Sequence, residues 1–540
     1  MTSRRGLQAR WRAVRRTGAG IVAVAALMLA GCSPGESPAP IGEPQRGGTM
    51  VIVASSDPGQ FNDGITTAGG TRRIAGNIFS GLTQINKDLN ADPDLATSWE
   101  TPDNGLTWTF HLATGVKWHD GQPFSSADVK FTFEQVLLKY HPTTKAGLSG
   151  ILDRIDTPDA STVVFHFKRP YGPLPLRLGN IDAPILPQHL YQGTDPLKNP
   201  ANQKPVGTGP YKFGDYQPGS RITLVRNDTY FKPGLPYLDR IVFSIIPQAT
   251  QQVAALQRGE VDYVPVAEPA LLDQLRSSPD ITLAPTVANG NGALNCQNLL
   301  TYKLQNPNLA KLETRQAFAY AIDRQRILEQ VEFGQGAVSK GPIASAFGWA
   351  QSPDVPAYPR DVAKANALLD QAGLARGPDG TRFPLKMIVS GDPRQSQIIA
   401  ENLGEVGVKV DVEVLDGSAA NAAVFVTHTA DLGSWGSCNA ADPDIGVPPL
   451  YSTSNIQDVV GGNVARYSNP QVDALFAQGS STTDQATRAG AYHRVDDILL
   501  RDLPYWWLTE QRNVSAFSSR IHGVANWSAS PAERAWSENG

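Results

Sequence analysis

Gly105-Leu-Thr-Trp-Thr-Phe-His-Leu112, Gly115-Val-Lys-Trp-His-Asp-Gly-Gln-Pro-Phe124 and Ala127-Asp-Val-Lys-Phe131 lie within 27 residues of one another. The first segment alternates Trp108, Phe110 and Leu112 with polar neighbours, the period of a half-buried strand. Gly115, Gly121 and Pro123 then set turns. Val129, Phe133 and Leu137 recur at fours, so residues 127–138 read as a helix, capped by Ser125 or Ser126. Trp99, Trp108, Trp118 and Phe124 are expected to fill a core rather than to meet a ligand.

The same alternation of elements runs outward in both directions. Met50-Val-Ile-Val-Ala54 is a continuous apolar run between Gly47-Gly48 and Asp57-Pro58-Gly59, as in a strand buried on both faces. Thr162-Val-Val-Phe-His-Phe167, Arg221-Ile-Thr-Leu-Val225, Ile241-Val-Phe-Ser-Ile-Ile246 and Val408-Lys-Val-Asp-Val-Glu-Val414 are further strands. Helices are expected over 251–258, 361–372 and 398–406, with Gly259 and Gly373 as C-terminal glycines. From Thr314 onward one helical stripe carries Phe318, Ile322, Gln325 and Leu328. Strands mixed with helices throughout imply an α/β protein.

The N-terminus has a different composition. Residues 1–31 hold six arginines and no Asp, Glu or Lys, and end in Ile21-Val-Ala-Val-Ala-Ala-Leu-Met-Leu-Ala30. That run is too short for a membrane-spanning helix, which needs about 20 residues. A basic segment, a short apolar segment and small residues make an export signal. Leu29-Ala30-Gly31-Cys32 resembles a bacterial lipobox. The resemblance implies cleavage before Cys32, lipid on its sulfur and an extracytoplasmic protein anchored to the cell membrane. Residues 32–46, rich in Pro, Gly and Ser, read as a flexible tether. Without residues 1–31 the chain has 41 basic and 51 acidic residues, a net charge of −10. No nucleic-acid partner is expected, since that calls for a basic patch. Cys296 and Cys438 remain, expected near each other; the sequence leaves open whether they pair. Two cysteines are too few for a zinc site of three or four. The eight histidines form no His-Glu-x-x-His, and Gly207-Thr-Gly209 lacks the rest of a phosphate loop. No catalytic residue, metal or cofactor is expected.

Beyond the opening stretch, Val206-Gly-Thr-Gly-Pro-Tyr-Lys212, Arg315-Gln-Ala-Phe-Ala-Tyr-Ala-Ile-Asp-Arg324, Val362-Ala-Lys-Ala-Asn-Ala-Leu-Leu-Asp-Gln-Ala-Gly373 and Tyr467-Ser-Asn-Pro-Gln-Val-Asp473 complete a pattern. It resembles the family 5 extracellular solute-binding proteins, which serve ABC importers for peptides and nickel. The resemblance implies a periplasmic-binding-protein-like fold (class II, cluster C) of three lobes. Lobe I is expected to take 47–80, 205–285 and 515–540, lobe II 81–204, and lobe III 286–514. A solute would bind between lobes I and III, and a monomeric protein would deliver it to permease and ATPase subunits. Peptides are the first expectation. Opines, sugars and nickel chelates are alternatives, as is a lipoprotein that has become a scaffold or regulator; a hydrolase is the weakest.

In peptide-binding relatives a loop of the large C-terminal lobe carries a tryptophan and, three residues on, an aspartate that pairs with the peptide ammonium. The matching stretch is Ser434-Trp-Gly-Ser-Cys-Asn-Ala-Ala-Asp-Pro-Asp444. Trp435 fits as ligand wall or packing residue, with Ser437 and Asn439 beside it. Cys438 stands at the aspartate position, so Asp442 would have to move in, with Asp444 behind it, or the ligand lacks the ammonium. Arg394 is a candidate carboxylate partner, or else a solvated helix-start residue. Ser56 and Asp57 after the first strand, and Asn298 after the crossing into lobe III, complete the candidates.

Overall fold

The computed structural model describes residues 42–286, 295–354, 356–525 and 530–538, so the signal, Cys32 and most of the tether lie outside the described residues. Three sheets organise the chain. The first has seven strands, in the order Ile281–Thr286, Asn513–Ser518, Tyr263–Val264, Thr49–Ala54, Arg240–Ile245, Arg221–Arg226 and Tyr211–Gln217. Thr49–Ala54 runs parallel to both neighbours, pairing Met50 with Ile241 and Ile52 with Phe243 and Tyr263. That central position is why its apolar run is unbroken.

The second unit is an antiparallel sheet of Ala96–Glu100, Thr107–Leu112, Thr162–Phe167 and Leu152–Asp159. Trp108, Phe110 and Leu112 face its core with Trp118, Phe124 and Phe165, while His111 is exposed. Trp99 packs half-buried at the margin. Ser126–Phe131 is helical, and Ser125 N donates to Asp128 Oδ2 at 2.9 Å in a capping box. The expected single helix continues as a π turn over Thr132–Leu137.

The third unit is a six-stranded sheet in the order Gly336–Val338, Tyr505–Gln511, Cys296–Tyr302, Leu432–Cys438, Phe383–Ser390 and Val408–Leu415. Its core holds Trp506, Trp507 and Phe318. One expectation fails here. The stripe from Thr314 to Leu328 is two helices, Leu312–Ala321 and Arg324–Gln330. Ile322 is extended, Asp323 N donates to Asn402 Oδ1 at 3.0 Å, and the Asp323 carboxylate caps Arg326 N at 2.9 Å. A side chain that satisfies the first free N–H groups starts a helix there rather than letting one run through.

Gly207 and Gly209 serve packing. A Cβ at these positions would lie 1.9 and 2.6 Å from the Ile78 carbonyl oxygen. Among the described residues no helix is long and apolar enough to cross a membrane.

Candidate functional site

A cavity of about 1490 Å³ opens between the four-stranded and six-stranded units. Residues 140–151 and 169–182 form one wall, residues 435–461 and 473–480 the other, and Thr67 and Arg72 represent the seven-stranded unit. Opposite the region expected as lobe III, the wall therefore comes mainly from the region expected as lobe II rather than from lobe I. The reason is local. Helix Pro142–Leu148 and the turn at residues 169–177 project from the four-stranded core toward the end of strand Leu432–Cys438.

Trp435, Ser437 and Cys438 line the cavity. Trp435 meets Phe425 edge-on with ring centroids 5.0 Å apart, and its buried Nε1 has no partner among the described residues. Cys438 stands directly opposite Cys296 in the antiparallel ladder, and the two are disulfide-bonded with Cα atoms 3.9 Å apart. The next pair is hydrogen-bonded, Asn439 N to Asn295 O at 2.7 Å, so the cysteines occupy the alternate site, where facing Cα atoms come closest.

The other candidates are engaged elsewhere. Asp442 is 2 % exposed, pairs with Arg488 and caps Asp444 N at 2.9 Å, and it is not among the lining residues. Asn439 accepts from Ala344 N at 2.7 Å. Asn298 donates to Glu332 Oε1 at 2.6 Å and Thr509 Oγ1 at 3.1 Å in the sheet. Arg394 binds Asp392 next door and lies 5.6 Å over the Phe333 ring, outside the cavity. Asp57 accepts from Tyr216 OH and from Gly219 and Gly59 N–H, and neither it nor Ser56 reaches the lining.

The charged lining comes mostly from residues without a sequence signal. Asp444 accepts from Tyr171 OH at 2.8 Å, and Arg177 Nη2 stands 3.7 Å away. Burial raises the pKa of this carboxyl, opposed by the Arg177 charge. Arg177 Nε in turn donates to Tyr171 at 2.8 Å. Gly147 makes room for it, since a Cβ there would lie 2.5 Å from the guanidinium. Arg72 pairs with Asp182 at 3.4 Å and lies 3.3 Å from His141 Nε2. Burial lowers the pKa of His141 to about 4, leaving it neutral. Arg169 donates to Ser480 Oγ at 3.1 Å, and Gly172 N donates to Ser480 O at 2.8 Å. A solute in this space would meet a tryptophan wall, aliphatic side chains and paired charges contributed by both units.

Comparison with known proteins agrees with this architecture. Residues 90–458 match the bacterial extracellular solute-binding proteins, family 5 (middle). The di/tripeptide-binding protein 1 of Pseudomonas aeruginosa is 30 % identical over 478 residues, covering 84 % of this chain and 86 % of that protein. The periplasmic binding protein DppA of Helicobacter pylori, solved with the peptide STSA, superposes with a TM-score of 0.80 at 25 % identity, over 92 % of this chain and 99 % of that one. The binding protein AgaA of A. tumefaciens R10, solved with agropinic acid, gives 0.79 at 26 % identity, over 91 % and 99 %. A match over more than half the chain, joined to three sheets around an open cavity, places this protein in the family 5 extracellular solute-binding proteins.

Proposed function

We propose that this protein captures a peptide or peptide-like solute outside the cytoplasm and hands it to the permease of an ABC importer. The observation that carries this reading is the cavity of about 1490 Å³ between two units of the chain. It exceeds the 300–1,000 Å³ of most small-molecule sites and suits a solute of oligopeptide size. The P. aeruginosa relative named for di- and tripeptides and the peptide-bound H. pylori neighbour support it. On this reading the protein does no chemistry. On the same reading each of the three lobes drawn in the sequence is built around one sheet, and solute binding favours the form in which lobes II and III meet. Opine-like conjugates are a second reading, favoured by the disulfide at Cys438 and by the agropinic acid neighbour. Mass spectrometry of solute co-purified from gently isolated protein tests both; protein that binds no solute at all would refute them.

The same proposal places the mature N-terminus at lipidated Cys32, as the Leu29-Ala-Gly-Cys32 sequence supports. Cys32→Ala is expected to release the protein from membranes. An unlipidated N-terminal peptide in membrane-retained wild-type protein would refute the anchor.

A further inference from the structure

We infer that the cavity takes an anionic solute with an apolar body and no free ammonium group, its carboxylate read by Lys145 and Arg169. This rests on the solute-capture reading above and names the chemical class.

The inference follows from which lining charges are already engaged. Asp182 is held by Arg72. Asp444 is held by Tyr171 and Arg177. The third lining carboxylate, Asp473, accepts from Thr453 N at 3.0 Å. Cys438, at the head of the lining strand, is closed in a disulfide and carries no charge. A ligand ammonium at Asp182 or Asp444 would have to break an existing ion pair, and a poorly paired buried charge costs several kcal/mol. Asp473, half-buried and bound by a backbone N–H, has no cation partner among the described residues, so it is the lining carboxylate at which the exclusion of an ammonium is tested.

The cations are different. Lys145 is exposed on helix Pro142–Leu148, and its ammonium has no partner among the described residues. Arg169 reaches Ser480 Oγ and the Ala477 carbonyl but no carboxylate. Both belong to the four-stranded unit and both line the cavity. Val459 and Val460, 48 % and 58 % exposed, stand on the opposite wall, and Ile181 lines the near one. Together they offer a solute two positive charges without carboxylate partners, and its body aliphatic contact.

Calorimetry on ligand-stripped protein decides, with the tetrapeptide Ala-Leu-Leu-Ala prepared in four forms, free or acetylated at the N-terminus and acid or amide at the C-terminus. The acetylated acid is expected to bind at least about tenfold more tightly than the acetylated amide. The free amine should add nothing. Lys145→Gln and Arg169→Gln should each remove most of the acid-over-amide preference, and Arg169→Gln should in addition weaken all four forms by a common factor, because it loses the bond to Ser480 across the cavity. A free-amine form that binds tenfold more tightly than its acetylated twin, or whose binding is lost on Asp473→Asn, overturns the inference while leaving solute capture intact. If no tetrapeptide binds, the co-purified solute decides. An acidic solute without a primary amine upholds the inference and refutes only the peptide reading, whereas an amine-bearing one, or none, overturns the inference.

Discussion

Asp442 shows how one carboxylate can look functional in sequence and be structural in the fold. It sits beside the cavity strand, yet its Oδ1 serves both Arg488 and the N–H of Asp444. Arg488 and Asp442 are 8 % and 3 % exposed at the side chain, so neither charge can fall back on water. Removing one member of such a pair strands the other, at a cost of about 3–5 kcal/mol. Asp442→Asn is accordingly expected to lower unfolding stability by that order in urea titration, and to leave binding by the folded fraction within about threefold. Loss of binding at full stability would return Asp442 to the site. Asp63 makes a separate, pH-linked prediction. Burial pushes its pKa up to about 8, opposed by the charge of Arg72, and its Oδ1 has no partner among the described residues. The folded form holds this proton more tightly than the unfolded chain does, so its contribution is fully present below pH 3.8 and lost as pH rises toward 8. Asp63→Asn cannot ionise and is expected to gain stability relative to wild type between pH 5 and 8, by on the order of 3 kcal/mol. A pH-independent difference between the two proteins would contradict the assignment.

Segments that reach across the cleft carry the next prediction. Gly172 follows Tyr171, and its N–H bonds Ser480 O at 2.8 Å. A Cβ on Gly172 would lie 1.9 Å from the Thr482 carbonyl oxygen, which belongs to the other wall. Backbone against backbone cannot yield as a flexible side chain would, so Gly172→Ala must hold the two walls apart. Affinity for the physiological solute is expected to fall at least about tenfold, with a larger solution radius in X-ray scattering of the ligand-bound protein. Unchanged affinity and radius would mean that the walls need not meet. Much of the element plan was readable beforehand, because burial on one face or both leaves a period of two or an unbroken apolar run, as at Thr107–Leu112 and Thr49–Ala54. The break at Ile322 was not, since it depends on Asn402, 79 residues from its partner Asp323. In the cavity, the strand holding Trp435, Ser437 and Cys438, and Asp444 after it, were legible through a family resemblance. Lys145, Arg169, Tyr171 and Arg177 have no local pattern that marks them. They become a wall only when the four-stranded unit docks opposite residues hundreds of positions away.

The three units are not joined equally. Between the seven-stranded and four-stranded units the contact is a core: Val136 and Leu186 pack among Met50, Ile52 and Phe243. Lys232 lies 2.9 Å from both Asp94 and Glu533, whose side chains are 7 % and 5 % exposed. Separating these units would expose apolar surface and strand buried charges. Across the cavity the four-stranded and six-stranded units touch through polar groups, Tyr171 to Asp444, Arg169 and Gly172 to Ser480, and Thr482 to Asn104. Opening along this seam parts the Arg177–Asp444 pair but exposes mainly polar groups that water can solvate, so opening is expected here rather than across the apolar core above. A ligand then binds with an apparent affinity reduced by the fraction of molecules closed. Tyr171 gives a way to read that fraction. Its ring is buried in the four-stranded core, while its hydroxyl reaches Asp444 on the far wall. Tyr171→Phe keeps the ring packing, removes the bond from Arg177 Nε in open and closed forms alike, and deletes the bond to Asp444 that forms only on closure, worth about 1.5–3 kcal/mol. Affinity should drop roughly tenfold or more, by the same factor for every solute whatever its end groups. Lys145→Gln should instead discriminate between acids and amides. The ligand-free scattering profile should not change, because the open form never makes the bond. If Tyr171→Phe weakens acids and spares amides, its hydroxyl touches the solute and does not latch the walls; if it weakens nothing, the seam is held shut by other contacts.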